Sequence, residues 1–156
     1  MIVLGIDPGA GHTGWAVIKT DSRTIADIGT IRDAPYYPTG DALLTVAERY
    51  KPSFVAIQWP FKAEGKTPRF YIDPKTEKPR DRSGVSFAKL AAHTGWLYGY
   101  LAGRGYPVIP AVPKRGAGCK VPRREWELYW QWTGRTSQDA RDAAQIALQA
   151  VKEGVE

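Results

Sequence analysis

The stretch that decides the fold is the opening of the chain, MIVLGIDPGAGHTGW at positions 1–15. Residues 1–6 form an apolar run of the kind that makes a buried strand, and a Pro-Gly pair then turns the chain. A second apolar run, 15–18, follows a glycine and is predicted to pair with the first run as a hairpin. The sequence therefore opens on a buried strand pair, with strands expected over 2–7 and 14–19.

Asp7 places a carboxylate where this apolar strand ends. A buried charge is costly unless it has a partner, and a divalent cation is one partner that suits a carboxylate. Aspartate also opens Asp-Pro-Gly turns without binding anything. Taken alone, Asp7 is compatible with both a metal ligand and a turn residue.

Composition and charge limit the classes of protein to which this chain can belong. The chain has 156 residues, 43% of them hydrophobic, which predicts a single domain over 1–156 with a real core. Its net charge of +6 favours a polyanionic partner. Cys119 is the one cysteine, which excludes an intrachain disulfide and a cysteine-bound metal cluster. No run reaches membrane-spanning length and no signal-peptide pattern is present, so we expect a cytoplasmic protein without a membrane partner.

Apolar periodicity in the rest of the chain predicts an α/β domain. The predicted elements are a strand over 24–31, a loop at 36–38, a helix capped by Thr39 or Asp41 and running to about residue 50, a strand over 53–57, a long loop over 60–82, a helix over 83–104, a strand over 106–109, a helix over 125–132, and a last helix capped by Ser137 and running to residue 152.

The predicted helix over 83–104 carries two stripes. One is apolar and faces a core. The other consists of Gly95, Gly99 and Gly103, and each glycine costs a helix about 1 kcal/mol relative to alanine. The glycine stripe therefore predicts close approach of another element, which is either the sheet of the same chain or a helix from a second copy.

Two segments concentrate positive charge. The segment 60–82 holds seven Lys or Arg against four acids, and its four prolines and lack of apolar periodicity predict a functional or disordered loop. The segment 104–124 holds six Lys or Arg and no acid. A merely solvated face would mix charges, so this segment indicates a phosphate-binding surface and a nucleic-acid partner.

Asp139 and Asp142 are spaced so that both project from one face of the last helix, near its N-terminus. Acids are common in the first turn of any helix, but Asp7 and Gln58 each end a predicted buried strand. Strand ends and helix starts of such a sheet meet at one edge. Several carboxylates at one point require cations, and two Mg²⁺ ions about 4 Å apart suit phosphodiester hydrolysis.

Five segments together resemble the RuvC-type Holliday junction resolvases of the ribonuclease H-like superfamily. GIDPG at 5–9 and TGW at 13–15 are similar to the family's opening, and VAIQWPF at 55–61 to its second motif. The basic, glycine-containing loop at 114–120 and DARDA at 139–143 resemble its last two motifs. The short, divergent chain looks more like the bacteriophage branch than the cellular enzyme.

The resemblance implies a ribonuclease H-like α/β fold with a mixed five-stranded sheet flanked by helices. It implies a homodimer that nicks four-way and other branched DNA symmetrically, in a prokaryotic or phage-infected cell. The implied cofactor is Mg²⁺, two ions per site with Mn²⁺ as an alternative, and no small-molecule cofactor is implied. The metal positions would be Asp7, Gln58, Asp139 and Asp142, and Lys120 would lie near the scissile phosphate. Phe61 would stack at the crossover, and the candidate DNA contacts are Phe61, Lys62, Lys66, Arg69, Lys114, Arg115, Lys120, Arg123 and Arg124.

Gln58 departs from the family pattern, which carries Glu in the second motif. An amide carbonyl is a poorer ligand for a hard dication than a carboxylate. Because the other three acids are present, we interpret Gln58 as an inactivating Glu-to-Gln change in a nuclease. Two alternatives remain: a non-catalytic homologue that binds branched DNA, and a ribonuclease H-like nuclease that acts on structured RNA.

Overall fold

Seven strands and four helices are present in the computed structural model, which describes residues 1–9, 11–32, 36–59, 70–72, 79–81, 85–111 and 121–153. In chain order they are β1 Ile2–Pro8, β2 His12–Lys19, β3 Thr24–Arg32, α1 Tyr36–Tyr50, β4 Phe54–Gln58, β5 Phe70–Ile72, β6 Pro79–Asp81, α2 Val85–Ala102, β7 Val108–Ala111, α3 Arg123–Trp130 and α4 Gln138–Lys152.

Five of the strands form one mixed sheet in the order β3-β2-β1-β4-β7. β1 and β2 pair antiparallel, as do β2 and β3, whereas β4 lies parallel to β1 and β7 lies parallel to β4. The predicted hairpin of β1 and β2 is therefore confirmed, and so is the mixed five-stranded sheet flanked by helices.

Side-chain alternation along β1 divides the core into two layers. Val3 packs with α3 and α4 on one face of the sheet, whereas Leu4 and Ile6 pack with α1 and α2 on the other. In β4, Phe54 and Ala56 belong to the α4 face. Because successive side chains of a strand point to opposite faces, Asp7 and Gln58, which end these two strands, fall on the α4 face.

Two glycines let α4 approach the central hairpin closely. A Cβ atom on Gly5 would lie 2.0 Å from the carbonyl oxygen of Ala143, and one on Gly14 would lie 2.1 Å from that of Asp139. Any side chain at either position would therefore push the helix away from the sheet. These glycines place the first turn of α4 directly over the end of the hairpin.

The predicted start of α1, at residue 40 or 42 after a cap at Thr39 or Asp41, was four to six residues late. The 36–38 segment, predicted as a loop, is the first turn of α1. The rings of Tyr36 and Tyr37 lie 5.7 and 5.1 Å from that of Trp96 on α2. Pro38 is tolerated because the first N–H groups of a helix have no intrahelical partner. Packing against α2 thus accompanies a turn that local propensity did not indicate.

Two other boundaries shift for backbone reasons. β7 was predicted at 106–109 but begins at Val108, because the Tyr106 N–H bonds to the carbonyl of Leu101 in the turn that follows α2. The helix predicted at 125–132 is α3, which stops earlier because Gln131 adopts the left-handed conformation with φ 51°.

The prediction of a long loop over 60–82 is wrong in part. β5 and β6 pair antiparallel, with Tyr71 opposite Arg80, and make a separate two-stranded sheet. The rest of that segment lies outside the described residues. Short strands in a proline-rich, charged segment leave no apolar pattern to detect.

The glycine stripe of α2 faces open space over two of its three positions. A Cβ atom on Gly95 or Gly99 would have no atom of the described residues within 4 Å, and one on Gly103 would lie 3.1 Å from the Gly99 carbonyl. Packing of Gly95 and Gly99 on the sheet of the same chain is therefore excluded. None of the helices in the described part of the chain is long and apolar enough to cross a membrane.

Candidate active site

The β1–β2 hairpin brings Asp7 to the start of α4. Asp7 lies opposite Gly14 in the hairpin, and Gly14 in turn lies beneath the backbone of Asp139. The carboxylate of Asp7 therefore projects from the same face of the sheet that supports the first turn of α4.

Asp139 and Asp142 are held by a capped helix end. The hydroxyl of Ser137 accepts a hydrogen bond from the Ala140 N–H at 3.1 Å, as its predicted capping role requires. The Gln138 amide donates to Oδ1 of Asp142 at 2.7 Å, which orients that carboxylate. Asp139 and Asp142 lie three residues apart, so both project from the same side of the helix.

The three carboxylates are electrostatically coupled. Burial raises the pKa of Asp7 to about 7, and the negative charges of Asp142 and, to a lesser degree, Asp139 add to the rise. Such coupling requires that the three groups lie near one another. The structure therefore brings together the three aspartates that the sequence singled out.

Gln58 ends the strand beside Asp7. The β1–β4 register pairs Ile6 with Ile57, so Asp7 and Gln58 follow side by side at the end of two parallel strands. Neighbouring strands lie about 4.8 Å apart. The partly exposed Gln58 amide is thus a neutral member of an otherwise acidic group.

The donor chemistry of this group suits a hard divalent cation. Three carboxylates and one amide carbonyl supply oxygen ligands, and a cation would offset the burial and the acidic repulsion that together raise the pKa of Asp7. As they stand, no three His, Cys, Asp or Glu side chains of the described residues lie close enough to hold one ion. The residues therefore fit the cation in type and in charge, and they would have to draw together to bind it.

The predicted basic and aromatic contacts are only partly described. Most of them lie outside the described residues, namely Phe61, Lys62, Lys66, Arg69, Lys114, Arg115 and Lys120. Arg123 donates through Nε to Oε1 of Glu127 at 2.5 Å, so an acid on α3 offsets part of its charge. Arg124 is exposed in the first turn of the same helix.

Sequence reasoning missed a cationic cavity beside α4. The cavity has a volume of about 380 Å³, and its lining includes Arg32 at the end of β3 and Arg135 just before α4. Each arginine lies outside the two basic segments identified by charge counting. The alternation of side chains between the two faces of β3 is the one sequence signal that could have indicated which face of the sheet Arg32 occupies.

Fold and site together define an α/β protein of the ribonuclease H-like class, with acidic side chains at the carboxyl end of β1 and at the start of α4. No family profile matches the chain. It is 30% identical to the crossover junction endodeoxyribonuclease RuvC of Legionella pneumophila, over 94% of this chain and 84% of that protein. The chain therefore belongs to the RuvC family of crossover junction endodeoxyribonucleases, as the sequence resemblance predicts.

Solved structures show the same fold. RuvC of Thermus thermophilus in complex with a Holliday junction substrate superposes with a TM-score of 0.65 at 21% identity, over 97% of this chain and 93% of that one. The fowlpox virus resolvase in complex with Holliday junction DNA gives a TM-score of 0.54 at 12% identity, over 97% and 99% of the two chains.

Proposed function

We propose that this protein is a Holliday junction resolvase, an endonuclease that nicks four-way and other branched DNA symmetrically. The observation that carries the proposal is the coupled group of Asp7, Asp139 and Asp142 on one face of the sheet, in a chain of the RuvC family. The net charge of +6 supports a polyanionic substrate.

Asp7, Asp139 and Asp142 would hold the divalent cations, Mg²⁺ or Mn²⁺, with two per site as the proposed number. Bound there, the cations would supply an activated water and polarise the scissile phosphate. In the metal-free protein, Asp7 with its pKa of about 7 keeps its proton in a large fraction of molecules at neutral pH. The amide of Gln138 would compete with a cation for Oδ1 of Asp142, to which it donates a hydrogen bond.

The proposed contacts to DNA extend the site outward. Lys120 would neutralise charge near the scissile phosphate, and Phe61 would stack on a base at the crossover. The remaining contacts are the basic residues Lys62, Lys66, Arg69, Lys114, Arg115, Arg123 and Arg124. Basic side chains would position the backbone, because phosphate contacts fix register and orientation without reading sequence.

We propose that Gln58 impairs cleavage in this chain. It stands beside Asp7 and lacks the negative charge that a glutamate would add. A neutral amide binds a hard dication weakly, so the cation nearest β4 would be misplaced. DNA binding would survive, because removing a negative charge next to a phosphate deletes no basic contact.

A homodimer is the proposed assembly, and α2 is the proposed contact. Gly95 and Gly99 leave an open groove on α2 with the aromatic rings of Trp96 and Tyr100 beside it. Small residues allow two helices to approach closely, and aromatic residues are enriched at interfaces. Two active sites related by a two-fold axis would cut two strands of the junction in a symmetric manner.

The test compares a four-way DNA junction, a duplex DNA of equal length and a structured RNA. Binding is measured in Ca²⁺ and cleavage in Mg²⁺, with the Gln58→Glu variant beside the parent chain. A resolvase binds the junction most tightly, and its Gln58→Glu variant cuts it. Junction binding without cleavage by either version would favour the non-catalytic binding protein, and preference for RNA would favour the ribonuclease.

A further inference from the structure

The cationic cavity beside α4 has the chemistry of a phosphate site. It lies between the end of β3 and the segment that leads into α4, and it is lined by Thr30, Arg32, Arg135, Thr136 and Ser137. Guanidinium groups bind phosphate through paired hydrogen bonds, and hydroxyl groups add further donors. No acidic residue is among the described residues that line it.

Both arginines of this cavity are available to a ligand. Arg32 and Arg135 are exposed, and neither forms an ion pair or a hydrogen bond with the described residues. Two unpaired guanidinium groups on one cavity repel each other and together attract an anion. Arg123, by contrast, is already engaged by Glu127.

The walls of the cavity are tied together by partly buried hydrogen bonds. The hydroxyls of Thr30 and Ser137 are hydrogen-bonded to each other at 2.5 Å, which ties β3 to the start of α4. Arg141, only 8% exposed, donates from Nη1 to the carbonyl and the hydroxyl oxygens of Thr136 at 3.2 and 3.0 Å. These bonds hold the end of β3 and the start of α4, which carry the two arginines, in place before a ligand binds.

The cavity lies at a defined distance from the acidic group. Thr30 pairs with Gly14, and Gly14 pairs with Asp7, so Thr30 is two strands away from Asp7 in the same row of the sheet. At about 4.8 Å per strand this is about 10 Å. One strand of a duplex arm advances about 3.4 Å along its axis per nucleotide, and the helical path between neighbouring phosphates is longer than this rise, so the separation corresponds to about two nucleotides at most.

We propose that this cavity binds a phosphodiester of the DNA strand being cut, within about two nucleotides of the scissile bond. This inference rests on the proposed function, because it takes Asp7 as the position of the cut. Arg32 and Arg135 would act as positioning residues that set the register of the strand over the acidic group. They contact the backbone and would not select a base.

The test uses the Arg32→Gln and Arg135→Gln variants, with Arg23→Gln as the matched control. Arg23 is an exposed arginine that precedes the other end of β3, about 30 Å from Arg32 by the length of the strand. Junction affinity is measured in Ca²⁺ from 0.05 to ~0.5 M salt. Each lost phosphate contact should reduce the slope of log affinity against log salt by about 0.9, which raises Kd about eightfold at 0.1 M salt.

A second arm locates the contact. Junctions that carry one neutral methylphosphonate at successive positions are bound to the parent chain and to both variants. We expect the parent chain to lose affinity at one position within about two nucleotides of the cut, and the variants to lose nothing further there. Thermal melting of all versions establishes that they are folded.

Equal affinities and slopes for Arg32→Gln, Arg135→Gln and Arg23→Gln would overturn the proposal, as would a methylphosphonate effect that persists unchanged in the variants. The outcome is independent of cleavage. If neither the parent chain nor its Gln58→Glu variant cuts DNA in Mg²⁺ but the two cavity variants lose affinity, the phosphate site stands while the nuclease activity fails.

Discussion

Replacing Asp7 with Asn should stabilise the metal-free protein at neutral and alkaline pH. Burial and the neighbouring acids raise the pKa of Asp7 from its ordinary 3.8 to about 7. Between about pH 4 and 7 the folded state therefore retains a proton that the unfolded state has lost, and stability falls as pH rises. Full ionisation costs on the order of 4 kcal/mol above about pH 7. Asparagine mimics the neutral carboxyl and avoids that cost.

Urea denaturation in EDTA, from pH 4.5 to ~8, measures this effect. The stability difference between Asp7→Asn and the parent chain should be about 1 kcal/mol at the acid end and should grow to about 4 kcal/mol at the alkaline end. Asp21→Asn is the control, because the positive N-terminus lowers the pKa of the exposed Asp21 and its effect has the opposite sign. A difference for Asp7→Asn that does not change with pH would refute the electrostatic coupling.

Three further predictions follow from the packing and the proposed contacts. Gly14→Ala should lower the free energy of unfolding by about 1–3 kcal/mol in urea titrations, because its Cβ would clash with the Asp139 carbonyl. An unchanged free energy of unfolding would show that α4 can shift freely. Gly99→Leu should leave folding intact yet weaken the dimer in sedimentation, since none of the described residues lies within 4 Å of the added Cβ. An intact dimer would exclude this face of α2. Phe61→Ala should reduce the fluorescence of a base analogue that fluoresces when it is unstacked at the crossover, because stacking of a base on an aromatic ring contributes about 1–3 kcal/mol. A large fall in melting temperature with unchanged fluorescence would instead make Phe61 a core residue.

Those parts of the fold that depend on local signals could be predicted from the sequence. The apolar run and Pro-Gly turn predicted β1 and β2, and the Ser137 cap predicted the start of α4. The first turn of α1 was missed because Tyr36 and Tyr37 pack on Trp96 of α2, a contact that local propensity does not encode. The sequence could not show whether the glycine stripe of α2 packs on the sheet of the same chain or on a second copy, because the spacing of the glycines does not identify the neighbouring element.

The candidate site was predictable to the extent that it follows from topology. Asp7 and Gln58 end neighbouring strands, and α4 begins at the same edge, so the acids had to meet once the sheet order was known. Arg32 and Arg135 were missed because each is a single basic residue about a hundred positions from the other. Only the pairing of β2 with β3 and the position of α4 bring them onto one cavity.

Single-turnover cleavage of a four-way junction in Mg²⁺, by the parent chain and by Gln58→Glu, tests the central claim most directly. A bound metal contributes several kcal/mol of transition-state stabilisation, and each 1.36 kcal/mol is tenfold in rate. We therefore expect the parent chain to cut about a thousandfold more slowly than the variant, with similar junction affinity in Ca²⁺. Equal cleavage rates would contradict the account by placing Gln58 outside the catalytic group, and tight binding without cleavage by either version would contradict the nuclease function itself.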